Sequence, residues 1–128
     1  MALPQKILLI DDDEAFNFLN RLIITGLMPA CIVYAAQDGQ AALNIIKRDE
    51  GCPDVILLDI NMPGMDGFEF LDEFDKLNKC SDHTKIFMLT SSSRDEDRVN
   101  VLSHKSVIGY LSKPLTVEHI EEILLRVA

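Results

Sequence analysis

The 128-residue chain reads as one α/β domain, a doubly wound parallel sheet of five strands with helices on both faces. Three observations predict this. Short apolar runs alternate five times with stretches of helical period. No repeat, low-complexity segment or linker interrupts them. The run Val55–Leu58 shows no polar alternation, as expected of a strand buried on both faces. With 48% hydrophobic residues, the chain can bury a sizeable single core.

Taken in order, Lys6–Ile10 is the first strand and ends on Asp11-Asp12-Asp13-Glu14. A helix follows, roughly Glu14 to Gly26, with Phe16, Leu19, Leu22 and Ile23 as its apolar face; Met28-Pro29 closes it. Cys31–Ala36 is the second strand and exits on Gln37. Asp38 caps a helix to about Arg48, whose apolar side is Ala42, Leu43, Ile45 and Ile46. Gly51 and Pro53 precede the third strand, Val55–Asp59, and Pro63, Gly64 and Gly67 break the chain after it.

Asp66 and Glu69 form a capping box for a helix with the stripe Phe68, Leu71, Phe74 and Leu77. Lys85–Thr90 is the fourth strand. Ser93 with Glu96 opens a fourth helix to about Ser103, and Val107–Leu111 is the fifth strand. Thr116 caps the last helix, which carries Val117, Ile120, Ile123 and Leu124.

The totals exclude several classes. A net charge of −9 and a pI near 4.6 argue against duplex DNA or an anionic membrane as a main partner. No apolar run approaches the ~20 residues that span a bilayer, and no secretory leader is visible at the N-terminus. A cytoplasmic protein is expected. Cys31, Cys52 and Cys80 are odd in number and widely spaced, and read as reduced, small apolar side chains. His83, His104 and His119 have no metal-ligand spacing and read as structural or surface residues.

The polar residues at the strand exits carry the chemistry. Ligands of open α/β sheets bind at the carboxyl ends of the strands. Those ends deliver Asp11-Asp12, Asp59, Thr90 and Lys113, with only the second strand contributing no such group. Two carboxylates ~4 Å apart repel by about 4 kcal/mol at an effective dielectric near 20, so three acids call for a cation. Oxygen-only ligands suit Mg²⁺ or Mn²⁺. Lys113 adds a fixed positive charge and Thr90 a hydroxyl donor, parts that would hold a phosphoryl group on a carboxylate.

These motifs together resemble the receiver domain of two-component response regulators, a bacterial signalling family. The motifs are Asp11-Asp12, Asp59 with Met62-Pro63-Gly64-x-Asp66-Gly67, Thr90-Ser91, and Lys113-Pro114. The resemblance covers nearly the whole chain and implies a flavodoxin-like strand order 2-1-3-4-5, with a cis Lys113–Pro114 bond. It implies that Asp59 accepts a phosphoryl group from a sensor histidine kinase or a histidine phosphotransfer protein. Asp12, Asp59 and the Asn61 carbonyl would bind Mg²⁺ directly, and Asp11 through water. Thr90 and Lys113 would contact the phosphoryl oxygens, and Tyr110 would be the aromatic switch partner of Thr90. Asn61 and Ser92 stand where the family tunes the acyl-phosphate lifetime. Leu115 replaces a common Phe.

The expectation is therefore a single receiver domain over residues 1–128 with no effector domain. It is a phosphoacceptor that catalyses only its own phosphorylation and dephosphorylation, and it switches the face spanning roughly residues 93–128. The downstream protein target is unreadable, and a phosphorylation-dependent dimer through that face stays open. Two rivals remain. A haloacid-dehalogenase-type phosphatase would use Asp11 as nucleophile but leaves Asp59 idle. A pseudo-receiver would act by protein contact alone. A calcium loop starting at Asp59 fails at Pro63 and Phe70, where oxygen ligands are required.

Overall fold

The structure is a computed structural model, and it describes residues 3–48, 51–91 and 104–127. Five strands, β1 (Lys6–Ile10), β2 (Ile32–Ala36), β3 (Val55–Asp59), β4 (Lys85–Thr90) and β5 (Val107–Ser112), pair in parallel in the order β2-β1-β3-β4-β5. This is the flavodoxin-like order that the resemblance implied. Four helices are described: α1 (Glu14–Leu27), α2 (Gly39–Arg48), α3 (Gly67–Leu77) and α4 (Val117–Val127). The expected helix from Ser93 to about Ser103, and Ser92 before it, lie outside the described residues.

Strand periodicity divides the core into two layers. Leu8, Ile10, Ile56, Leu58, Ile86 and Met88 face α2 and α3, where Leu43, Ile46, Phe70 and Phe74 close over them. Ile7, Leu9, Val55, Leu57, Phe87 and Leu89 face the other way, toward Ile24 of α1 and Ile120 and Ile123 of α4. All five residues of β3 are buried, as a central strand with neighbours on both edges requires.

The helix starts follow the capping chemistry read from the chain. Asp13 Oδ1 accepts the Phe16 N–H at 3.1 Å, and Asp38 Oδ1 accepts that of Ala41 at 2.7 Å. Asp66 and Glu69 form the reciprocal capping box. In α4 the glutamate of such a box is replaced by histidine: Thr116 N–H donates to His119 Nδ1 at 3.1 Å, and His119 N–H to Thr116 Oγ1 at 3.2 Å.

Two sequence expectations are corrected. The apolar face assigned to α1 is half right, since Phe16 and Ile23 pack against the core. Leu19 and Leu22 are more than half exposed, whereas Asn17, Asn20 and Ile24 are buried. Ile24 joins the apolar core layer, while Asn17 meets the Asp11 and Ala36 carbonyls at the exits of β1 and β2. The second correction concerns the cysteines. Cys52 and Cys80 form a disulfide, with Cα atoms 5.5 Å apart, and only Cys31 is a free thiol. Their separation of 28 residues hid this, because the α2–β3 and α3–β4 loops return to the same edge of a parallel sheet. Burial, with Asp54 nearby, pushes the Cys31 thiol pKa up.

At its outer edge β2 meets α1: Arg21 Nη2 donates to the Val33 carbonyl at 3.0 Å. The histidines are structural, as expected. His104 Nε2 lies 2.7 Å from Asp75 Oδ2 and His83 Nε2 lies 2.8 Å from Asp54 Oδ1.

Candidate functional site

Two adjacent central strands, β1 and β3, end on acids, and their pairing sets the geometry of the site. Ile10 is in register with Leu58, so Asp11 and Asp59 leave the sheet side by side. Both are buried, at 1% and 4% exposure, while Asp12 is exposed. Asp11, Asp12 and Asp59 each offer a carboxylate oxygen, all within 4.8 Å of one another. At that separation each pair repels by roughly 3–4 kcal/mol at an effective dielectric near 20.

Lys113 answers part of this repulsion. Its Nζ lies 2.9 Å from Asp11 Oδ2 and 3.3 Å from Asp59 Oδ2. The backbone holds it there, because the Lys113 N–H donates to the Thr90 carbonyl at 2.8 Å. The Lys113–Pro114 bond that follows is cis, as the resemblance implied. The Phe16 ring lies 4.9 Å from the ammonium, within cation–π range. Burial works to lower the Lys113 pKa, but the carboxylates of Asp11 and Asp59 outweigh it and hold the group above its ordinary value. For Asp59, burial dominates and the Asp11 charge adds to it. Lys113 and the Asn61 N–H only partly offset them, so its pKa is pushed up to about 6.

The residues fit a divalent cation. Three carboxylates against one ammonium leave two negative charges uncompensated, and every donor is a hard oxygen. Buried Asp59, whose proton is held too tightly, is the group that a nearby cation would restore to the ionised state.

The turn after β3 is shaped for close approach. A Cβ on Gly67 would lie 2.9 Å from the Asp59 carbonyl, so only glycine lets α3 start this near the strand end. Gly64 takes φ +77°, which L side chains rarely adopt. The Asn61 N–H donates to Asp59 Oδ1 at 3.3 Å. Thr90 is buried at the end of β4, its Oγ1 donating to the Leu111 carbonyl at 3.4 Å. Tyr110 stands on β5, 38% exposed.

Sequence reading brought forward Asp11, Asp12, Asp59, Asn61, Thr90 and Lys113, and these line one end of the sheet. It missed two groups on α1. Phe16 was assigned to a packing face, where it does pack, but its ring also meets Lys113. Asn17 was passed over, yet its Nδ2 donates to the Asp11 carbonyl at 2.9 Å. The available signal was the spacing of Asn17, Asn20 and Ile24, which falls on one helical stripe.

Comparisons with known proteins agree with this geometry. A family model, the response regulator receiver domain, matches residues 7–125. The nitrate/nitrite response regulator protein NarL of Escherichia coli strain K12 is 34% identical over 125 residues, 98% of this chain and 55% of that protein. The probable C4-dicarboxylate response regulator DctR of Bacillus subtilis is 27% identical over 119 residues, 93% of this chain and 50% of that protein. The chain thus spans about half the length of the curated relatives it matches. Among solved structures, a two-component response regulator from Cytophaga hutchinsonii aligns with a TM-score of 0.84 at 32% identity, covering 98% of both chains. Chemotaxis protein CheY4 of Vibrio cholerae aligns at 0.77 and 27% identity, covering 98% of this chain and all of the other. With its acids, lysine and sheet order arranged in this way, the chain belongs to the response regulator receiver domains of two-component systems.

Proposed function

We propose that Asp59 accepts a phosphoryl group from a histidine kinase or a histidine phosphotransfer protein. The observation that carries this reading is the convergence of Asp11, Asp12 and Asp59 beside Lys113. An Asp59 oxygen attacks the phosphorus of the donor phosphoimidazole. The O–P bond forms as the P–N bond breaks, and the imidazole leaves. Lys113, already 3.3 Å from Asp59 Oδ2, neutralises the transferred oxygens, and the Thr90 hydroxyl exchanges its bond to the Leu111 carbonyl for one of them.

Asp12, Asp59 and the Asn61 carbonyl would hold Mg²⁺, or Mn²⁺, with Asp11 acting through water. The ion would supply charge neutralisation of the phosphoryl oxygens. Water later attacks the phosphorus of the acyl phosphate; its O–P bond breaks, inorganic phosphate leaves and the free carboxylate returns.

Thr90's movement leaves space into which the Tyr110 ring swings, and this couples the site to the β5–α4 face. Moving such an equilibrium from 1:99 to 99:1 takes about 5.5 kcal/mol, within reach of a few charge-assisted contacts. With a net charge of −9, this domain meets protein partners rather than nucleic acid or membrane; a second copy on the switched face is one such partner. Among the described residues no helix is long and apolar enough to cross a membrane.

The test is mass spectrometry after incubation with Mg²⁺ and acetyl phosphate. Wild type gains one phosphoryl group and Asp59→Asn gains none. Acetyl phosphate hydrolysis without an adduct, lost in Asp11→Asn, would favour a phosphatase. Neither adduct nor Mg²⁺ binding would leave an interaction module.

A further inference from the structure

Asn17 and Asn20 are 4% and 2% exposed, on the side of α1 where a helix packed on a sheet presents apolar side chains. Asn17 lies against the strand exits. Its Nδ2 donates to the Asp11 carbonyl at 2.9 Å and, more weakly, to the Ala36 carbonyl at 3.4 Å. Asp11 is therefore gripped at three points: its carbonyl by Asn17, its Oδ1 by the Asp13 N–H at 2.9 Å, and its Oδ2 by Lys113. Asn17 Oδ1, in contrast, is buried and has no hydrogen-bond partner among the described residues. An amide buried with an open acceptor costs stability, so packing alone does not account for this side chain.

We propose that Asn17 is a positioning residue for the divalent-cation site, acting through the peptide that joins Asp11 to Asp12. The carbonyl it holds belongs to that peptide. The orientation of this one unit sets the directions in which both carboxylates leave β1. The inference rests on the reading of these acids as a cation site. Groups that orient ligands without touching the metal change its affinity about 10–100-fold.

The experiment is calorimetric titration of the whole chain with Mg²⁺ alone, no phosphoryl donor present, alongside urea unfolding. The variants are Asn17→Leu, which keeps the branching and removes the donor, Asn17→Ala, and Asn20→Leu as the control on the same buried face. Expected is a rise in Kd of about tenfold in both Asn17 variants, with Asn20→Leu within twofold of wild type. A purely structural role would shift the unfolding midpoints of all three and leave Kd in place. Asn17→Ala decides the matter if Asn17→Leu does not fold. A Kd within twofold of wild type in an Asn17 variant overturns the proposal, and so does an equal rise in Asn20→Leu. A wild-type protein that binds no Mg²⁺ overturns the cation-site reading itself.

Discussion

Two aspartates at opposite ends of one strand show how environment divides labour. Asp54 precedes β3 and Asp59 ends it. Asp54 Oδ2 accepts the backbone N–H groups of Gln5 at 2.7 Å and Lys6 at 3.1 Å, and His83 stands on Oδ1. Partial burial works to raise its pKa, but these partners outweigh it and hold it below the ordinary value. Among the described residues, Asp59 accepts the Asn61 N–H and meets a lysine that it shares with a second acid, and its pKa rises to about 6. The same side chain is held in its charged form at one end and pushed toward its neutral form at the other.

The largest expected effect tests whether the two ends are independent. The Cys52–Cys80 bridge lies at Asp54's end of the sheet and closes a loop of 28 residues' separation. Removing it, by reduction or in the Cys52→Ser/Cys80→Ser variant, should lower stability by about 3–4 kcal/mol through loop entropy while leaving the Mg²⁺ Kd within twofold. A parallel loss of Mg²⁺ affinity would show the ends to be coupled.

The second prediction concerns Asp59 itself. A carboxylate whose folded pKa is raised resists ionisation. Its cost is absent below the ordinary value of 3.8, grows as pH rises toward about 6, and is fully present above that. In metal-free protein at pH 7, Asp59→Asn should therefore be more stable than wild type by about 2–3 kcal/mol. The gap should close near pH 4 and shrink on adding Mg²⁺. Urea unfolding across that range measures it, and a gap that does not depend on pH would contradict the assigned cause.

The smallest effect has the opposite sign. Asp54→Asn should cost about 1–2 kcal/mol at pH 7, because charge-assisted bonds to two backbone N–H groups are weakened. A lowered folded pKa contributes stability above the unfolded value that is lost as pH falls through the folded one. The wild-type and variant curves should then converge in acid. Convergence in alkali instead would place the effect on another group.

Much of this was legible in the chain because it rested on local pattern. The runs Lys6–Ile10 and Val55–Leu58 announce buried strands by lacking alternation, Asp11 and Asp59 follow them directly, and Lys113 follows the last strand. What stayed hidden depended on pairing across the fold. Asn17 looks like a solvated residue until the Asp11 carbonyl is seen beside it. Phe16 looks like core and nothing more until Lys113 arrives from the far end of the chain. Cys52 and Cys80 look unrelated until two crossovers return their loops to one edge. Asp54 looks like a turn residue until the N–H groups of Gln5 and Lys6 and the ring of His83 are seen beside it.

The guanidinium of Arg21 has a consequence for how molecules meet one another. β2 is an edge strand of Ile-Val-Tyr-Ala-Ala, without proline or charge, the composition that invites another chain to add on. The Ile32 N–H and the Ala36 carbonyl bond inward to β1's end of the sheet, so by strand alternation the Val33 carbonyl points outward, and Arg21 occupies it. A charge borrowed from α1 thus stands sentry on a seam that the strand's own side chains leave open to aggregation.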